Sequence, residues 1–175
     1  MPLGVEETAA LVRATARVSA LVFAASLAAA ARRLAAGADI RAARRADIAA
    51  FAAFLGAHTI HFATVLMLAG ATGGENIRHA GGWIPTLAAA GAFYASCAAV
   101  LRGRLRQTAR WATAVARRLE MATMAILWLV FFQAYALRLF QSAWFAALAV
   151  VLAASLALFA AAARPRQPRA ERAML

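Results

Sequence analysis

Residues 47–71 read DIAAFAAFLGAHTIHFATVLMLAGA. After Asp47 the stretch carries no full charge, and its only titratable side chains are His58 and His61. Roughly 20 mostly apolar residues in a helix cross a bilayer core about 30 Å thick. The stretch is therefore read as a membrane span, ended by Thr72-Gly73-Gly74.

Four more spans are read on either side of it. The first runs from about Ala9 to Ala31 and stops at Arg32-Arg33. The third runs from Trp83 to Leu101, the fourth from Met121 to Leu137 and the fifth from Ser142 to Ala163. A tight turn at Arg138–Ser142 separates the last two. The expected fold is all-α: one integral membrane helical bundle over 1–163, followed by a basic, disordered tail at 164–175. Composition agrees. Of 175 residues, 65% are hydrophobic and 15% charged. Soluble chains run about 45–50% apolar and about 25% charged. A soluble enzyme, a disulfide scaffold and a disordered chain are all disfavoured, and the one cysteine, Cys97, lies inside an apolar run.

All 19 basic residues are arginine, and the net charge is +12. A nucleic-acid partner is not inferred, because the arginines alternate between loops instead of forming one patch. Arg32, Arg33, Arg41, Arg44 and Arg45 follow the first span; Arg102, Arg104, Arg106, Arg110, Arg117 and Arg118 follow the third; Arg164, Arg166, Arg169 and Arg172 follow the fifth. Cytoplasmic loops carry such an excess. The expectation is an outer N-terminus, a cytoplasmic C-terminus and a bacterial inner membrane. Glu6 and Glu7 stand where a signal peptide has its basic start, so the first span is expected to be retained. Arg102–Glu120 is read as a basic amphipathic helix on the inner surface, with Trp111 and Trp83 as interfacial anchors.

Ionisable groups inside spans point to function. His58 lies eleven residues beyond Asp47, about 16 Å along the helix, and His61 is one turn further on the same face. The spacing leaves two readings open. Neutral imidazoles ligate a haem iron or other metal, or carry protons. They also serve as buried partners for Ser, Thr or backbone carbonyls. Arg13 and Arg17 share a face of the first span. Arg13 suits snorkelling, and Arg17 suits a clamp for a carboxylate or phosphate, such as a haem propionate or a lipid headgroup. His79 is read as a solvated loop residue, Glu120 as a local partner of Arg117 and Arg118, and Gln133 as an interhelical hydrogen-bonding group. Gly91, Ala95, Ala98 and Ala99 are read as a close-packing face of the third span.

Several stretches together resemble the bacterial ferric-reductase-like transmembrane family, which includes the membrane haem subunit of methionine-sulfoxide reductase systems. They are Val12–Arg17, Ala31–Leu34, Arg44-Arg45, Phe51, Phe54, His58–Phe62, Arg117–Leu119 and Trp128–Phe132. The layout covers about Leu11 to Ala163. The resemblance implies a bundle carrying haem b and passing electrons across the membrane, with iron held by histidines on different helices. It assigns His58 and His61 as candidate iron ligands and Arg17 and Arg13 as candidate propionate partners. It also implies a separate redox partner protein, since this chain has no flavin or nicotinamide domain. The sequence departs from the family at Glu120 and Gln133, where relatives carry histidine. The alternative is a haem-less relative with a structural or partner-binding role.

Overall fold

The computed structural model describes residues 4–36, 40–79, 81–106 and 114–163. They form six helices: α1 (Val5–Ala35), α2 (Ile40–Ala71), α3 (Glu75–His79), α4 (Trp83–Arg106), α5 (Ala114–Ala136) and α6 (Ala143–Ala163). The five-span all-α bundle is what the apolar runs lead one to expect. Among the described residues α1, α2, α4 and α6 are each long and apolar enough to cross a membrane, and α5 adds the shorter apolar stretch Glu120–Ala136. A helix satisfies its own backbone, so it is the natural spanning element in lipid.

Local chemistry fixes the ends. Glu7 accepts the Gly4 N–H at 3.0 Å, and Glu6 and Glu7 sit at the positive end of the α1 dipole, with Arg32 and Arg33 at its negative end. Gly73 takes φ +60°, which lets the Gly74 N–H reach the Ala69 carbonyl at 2.7 Å and close α2. Gly81, at φ +94°, closes α3 in the same way, through Gly82 N–H to Ile77 O at 2.8 Å. The expected outer loop Gly73–Gly82 thus contains a short helix.

Helix α1 is the central post. Ala20, Phe23, Ala24, Leu27, Ala30 and Ala31 are buried at helical spacing, facing α2, α5 and α6. Phe23 stacks on Phe131 of α5 (5.1 Å between ring centroids) and tilts against Phe54 of α2 (4.9 Å). Trp128 of α5 donates to the Leu152 carbonyl of α6 at 2.7 Å.

Several local expectations are corrected. Arg102–Glu120 is not a separate surface helix, because its described parts continue α4 and begin α5. Residues 107–113, with the expected anchor Trp111, and the tail 164–175 lie outside the described residues. Gly91, Ala95, Ala98 and Ala99 are exposed, so that small-residue face packs on no other helix among the described residues. The buried face of α4 is Cys97, Val100 and Arg104, all in its second half. Gln133 is exposed and its side chain bonds nothing among the described residues. The reason is common to both: in lipid, apolar side chains can face outward without cost, so composition alone does not say which face of a span turns inward.

Glu120 is the largest correction. It leaves its neighbours and joins a buried ionic cluster across four helices. Arg33 of α1 meets Asp47 of α2 (Nε–Oδ2, 2.6 Å) and Glu120 of α5 (Nη2–Oε1, 2.7 Å). Arg104 of α4 meets Asp47 (Nη1–Oδ1, 2.9 Å) and Glu120 (Nε–Oε1, 2.9 Å). The two contacts to Asp47 are ionic, their angles falling outside hydrogen-bond geometry. Two arginines and two carboxylates leave no net charge, and the Arg104 guanidinium also lies over the Phe51 ring at 4.4 Å. Arg44 completes this end by donating to the carbonyls of Arg104 (3.0 Å) and Leu105 (2.7 Å), orphan acceptors at the end of α4.

Candidate functional site: a histidine-lined cavity between α2, α4 and α5

Because α4 is buried only in its second half, its first half stands away from α2 and α5. A cavity of about 810 Å³ fills the gap. Ligand sites span about 300–1,000 Å³ and are mostly apolar with a few placed polar groups. Here the walls are mainly apolar and aromatic, with small residues such as Ala89 and Ala90 on α4 and Ile126, Val130 and Phe131 on α5. His58 and His61 supply the imidazoles.

Both histidines are held from behind by hydroxyls of α1. Ser19 Oγ is 3.2 Å from His58 Nδ1, and Thr15 Oγ1 is 3.2 Å from His61 Nδ1. Thr15 also lies 3.0 Å from Thr64 Oγ1, which donates to the His61 carbonyl at 2.7 Å. The Leu11 and Val12 carbonyls, at 2.9 and 3.1 Å, take the single Thr15 hydroxyl proton. Its Oγ1 is then the acceptor, and His61 Nδ1–H the donor, under this hydrogen-bond assignment. Nε2 is the ring nitrogen left for the cavity in each case.

The two rings differ in their surroundings. His58 sits in an aromatic box, 4.2 Å from Phe93, 5.6 Å from Phe131 and 5.9 Å from Phe54 between ring centroids. Among the described residues His61 has only His58 as a ring neighbour, at 5.8 Å. The site is level with the C-terminal end of α5 but not with the ends of α1 and α2. Tyr135, in the last turn of α5, donates to the Ala16 carbonyl at 3.0 Å, next to the Thr15 that holds His61. His61 is therefore level with the α5–α6 turn, while α1 and α2 run on beyond it.

The arginines expected beside the histidines are elsewhere. Arg17 does not line the cavity; its guanidinium lies 5.8 Å from the Trp144 ring centroid of α6. Arg13 is exposed. His79 is exposed on α3, 3.7 Å from Glu75, and the described residues contain no group of three or more metal-ligating side chains. Tyr94 donates to Thr59 at 3.1 Å at the cavity rim. The sequence reading missed Ser19, Thr15 and Phe93 as members of this site. Ser19 and Thr15 are spaced four apart, like the arginines, and could have been noticed as a hydroxyl pair on α1.

The family resemblance implies haem b, and the cavity's donor set meets that requirement only in part. A ligating histidine characteristically has its second ring nitrogen hydrogen-bonded, which both residues satisfy. The apolar walls also suit a macrocycle. The residues fit one axial bond, not two. His58 and His61 project from one face of one helix, and the facing wall offers Phe93, Tyr94, Thr123, Phe131 and Tyr135, none with an imidazole or thiolate. No protein family, curated protein or solved structure matches this chain.

Proposed function

We propose that the chain is a ferric-reductase-like membrane subunit whose cavity would hold one b-type haem, with His61 as the residue that would bind its iron. The observation that carries this reading is the pair of imidazoles anchored through Nδ1 to α1 hydroxyls and presenting Nε2 to an apolar cavity. His61 is preferred because Phe93 covers the His58 ring. When bound, the haem supplies one-electron transfer; the protein supplies position, ligand and dielectric. Thr15 fixes the His61 ring and its tautomer. Phe54, Phe93 and Phe131 exclude water from the inner side of the site. The arginine-rich end is assigned to the cytoplasm of a bacterial inner membrane. That orientation puts the cavity in the outer half of the bundle, on the side of an outer electron acceptor, and a separate redox partner delivers the electrons.

A second reading has its own support. The Ser19–His58 and Thr15–His61 bonds tie α1 to α2, which is sufficient work for two histidines in a haem-less structural or partner-binding protein. Absorption spectra separate the two. The protein is expressed with haem supplied, purified in detergent, and recorded oxidised and dithionite-reduced. Near-stoichiometric haem with a reduced b-type band is expected, lost in His61→Ala and retained in His58→Ala. A folded, colourless wild type would leave the structural reading standing.

A further inference from the structure

Arg17, twelve residues into α1, and Arg138 lie where α1 passes the α5–α6 turn. Arg17 reaches the Trp144 ring (5.8 Å), and Arg138 the neighbouring Phe145 ring (5.9 Å). Tyr135, 6.1 Å from Phe145 between centroids, is within electrostatic reach of both guanidiniums. Neither arginine has a hydrogen-bonded or ion-paired partner among the described residues. The acidic side chains described at this end, Glu6, Glu7 and Glu75, are on the first turn of α1 and on α3. Two cations gathered around Tyr135 on an apolar, lipid-suited surface without a counter-charge call for an anion.

The surroundings say which kind. Leu137, Phe140 and Trp144 flank the pair and are 84%, 103% and 62% exposed. A free anion would gain nothing from such a collar, whereas acyl chains would cover it. We infer that Arg17 and Arg138 bind the headgroup phosphate of a phospholipid whose chains lie along Leu137, Phe140 and Trp144. Guanidinium matches phosphate through paired N–H donors. Arg13, one turn further out on α1, is positioned to steer the headgroup. The site is separate from the histidine cavity and stands whether or not haem is bound there.

Native mass spectrometry of the detergent-solubilised full chain tests this with three probes: phosphatidylglycerol, a diacylglycerol with the same chains, and inorganic phosphate. One retained phosphatidylglycerol is expected, with no diacylglycerol retained and no displacement by millimolar phosphate. Arg17→Gln and Arg138→Gln should each weaken retention about fivefold, and the pair roughly thirtyfold, at about 1 kcal/mol per arginine. Arg78→Gln, in α3, should change nothing. Equal retention of diacylglycerol, displacement by inorganic phosphate, or full retention in the double variant would overturn the inference. The probe comparison uses wild-type protein, so it decides even if a variant fails to fold.

Discussion

Replacing Asp47 by Asn should destabilise the bundle more than any other single isosteric change at its arginine-rich end. Asp47 is wholly buried and each carboxylate oxygen faces a different arginine, Arg33 at 2.6 Å and Arg104 at 2.9 Å. The wild-type cluster is neutral, with Arg33 and Arg104 against Asp47 and Glu120. The amide leaves it with one uncompensated positive charge in a dry site. Removing one partner of a buried ion pair costs about 3–5 kcal/mol. On the scale of 150–250-residue domains that is a fall of roughly 6–20 °C in melting midpoint. Tryptophan fluorescence of the detergent-solubilised protein reads it directly, because Trp128 bridges α5 to α6. The companion variant is Asp47→Asn with Arg104→Gln, which restores neutrality. It should be less destabilised than the sum of the two single changes by about 0.5–3 kcal/mol. A single variant that melts with the wild type, or a double variant whose losses simply add, would refute the claim that charge balance holds these four helices together.

Three further outcomes follow from the packing. Leu152→Ala removes a fully buried side chain of α6 and should cost about 2–5 kcal/mol, read as a lower melting midpoint. Trp128→Phe deletes the bond to the Leu152 carbonyl while keeping an aromatic ring; because Ser155 also donates to that carbonyl at 2.8 Å, the acceptor stays paired and the cost in the same assay should be only about 0.5–1.5 kcal/mol. Thr15→Val keeps shape at the site but frees His61 Nδ1; on the haem reading it should weaken haem affinity about 10–100-fold in a spectral titration while His61 remains in place.

The ionic cluster also bears on topology. Arg33 and Arg104 belong to the loop charges from which a cytoplasmic side is expected, yet both are buried and paired. That expectation does not depend on them, because Arg32, Arg41, Arg45 and Arg102 remain exposed at the same end. One end of the bundle thus combines neutralised arginines that clamp helices with exposed arginines on which the proposed orientation rests. The other end keeps Arg17 and Arg138 beside aromatic rings and without carboxylates.

The five long apolar helices and their approximate limits were legible in the sequence, because crossing a bilayer demands long apolar runs and charged residues interrupt them, whereas the short α3 between Gly74 and Gly81 was not. His58 and His61 were legible as residues of interest, because an imidazole in lipid is costly enough to need a reason. The sequence could not say what that reason was. Ser19 and Thr15 lie 39 and 46 residues away from their histidines, and only the pairing of α1 with α2 brings them to Nδ1. Glu120 looked like a neighbour of Arg117 and Arg118, whereas its partner Arg33 is 87 residues away. Apolar runs also carry no mark of their inward face, since lipid and core reward the same side chains. The exposed small-residue face of α4, the lipid-facing Gln133 and the turning of Arg17 toward Trp144 were therefore decided by helix rotation and packing, which exist only in the tertiary structure.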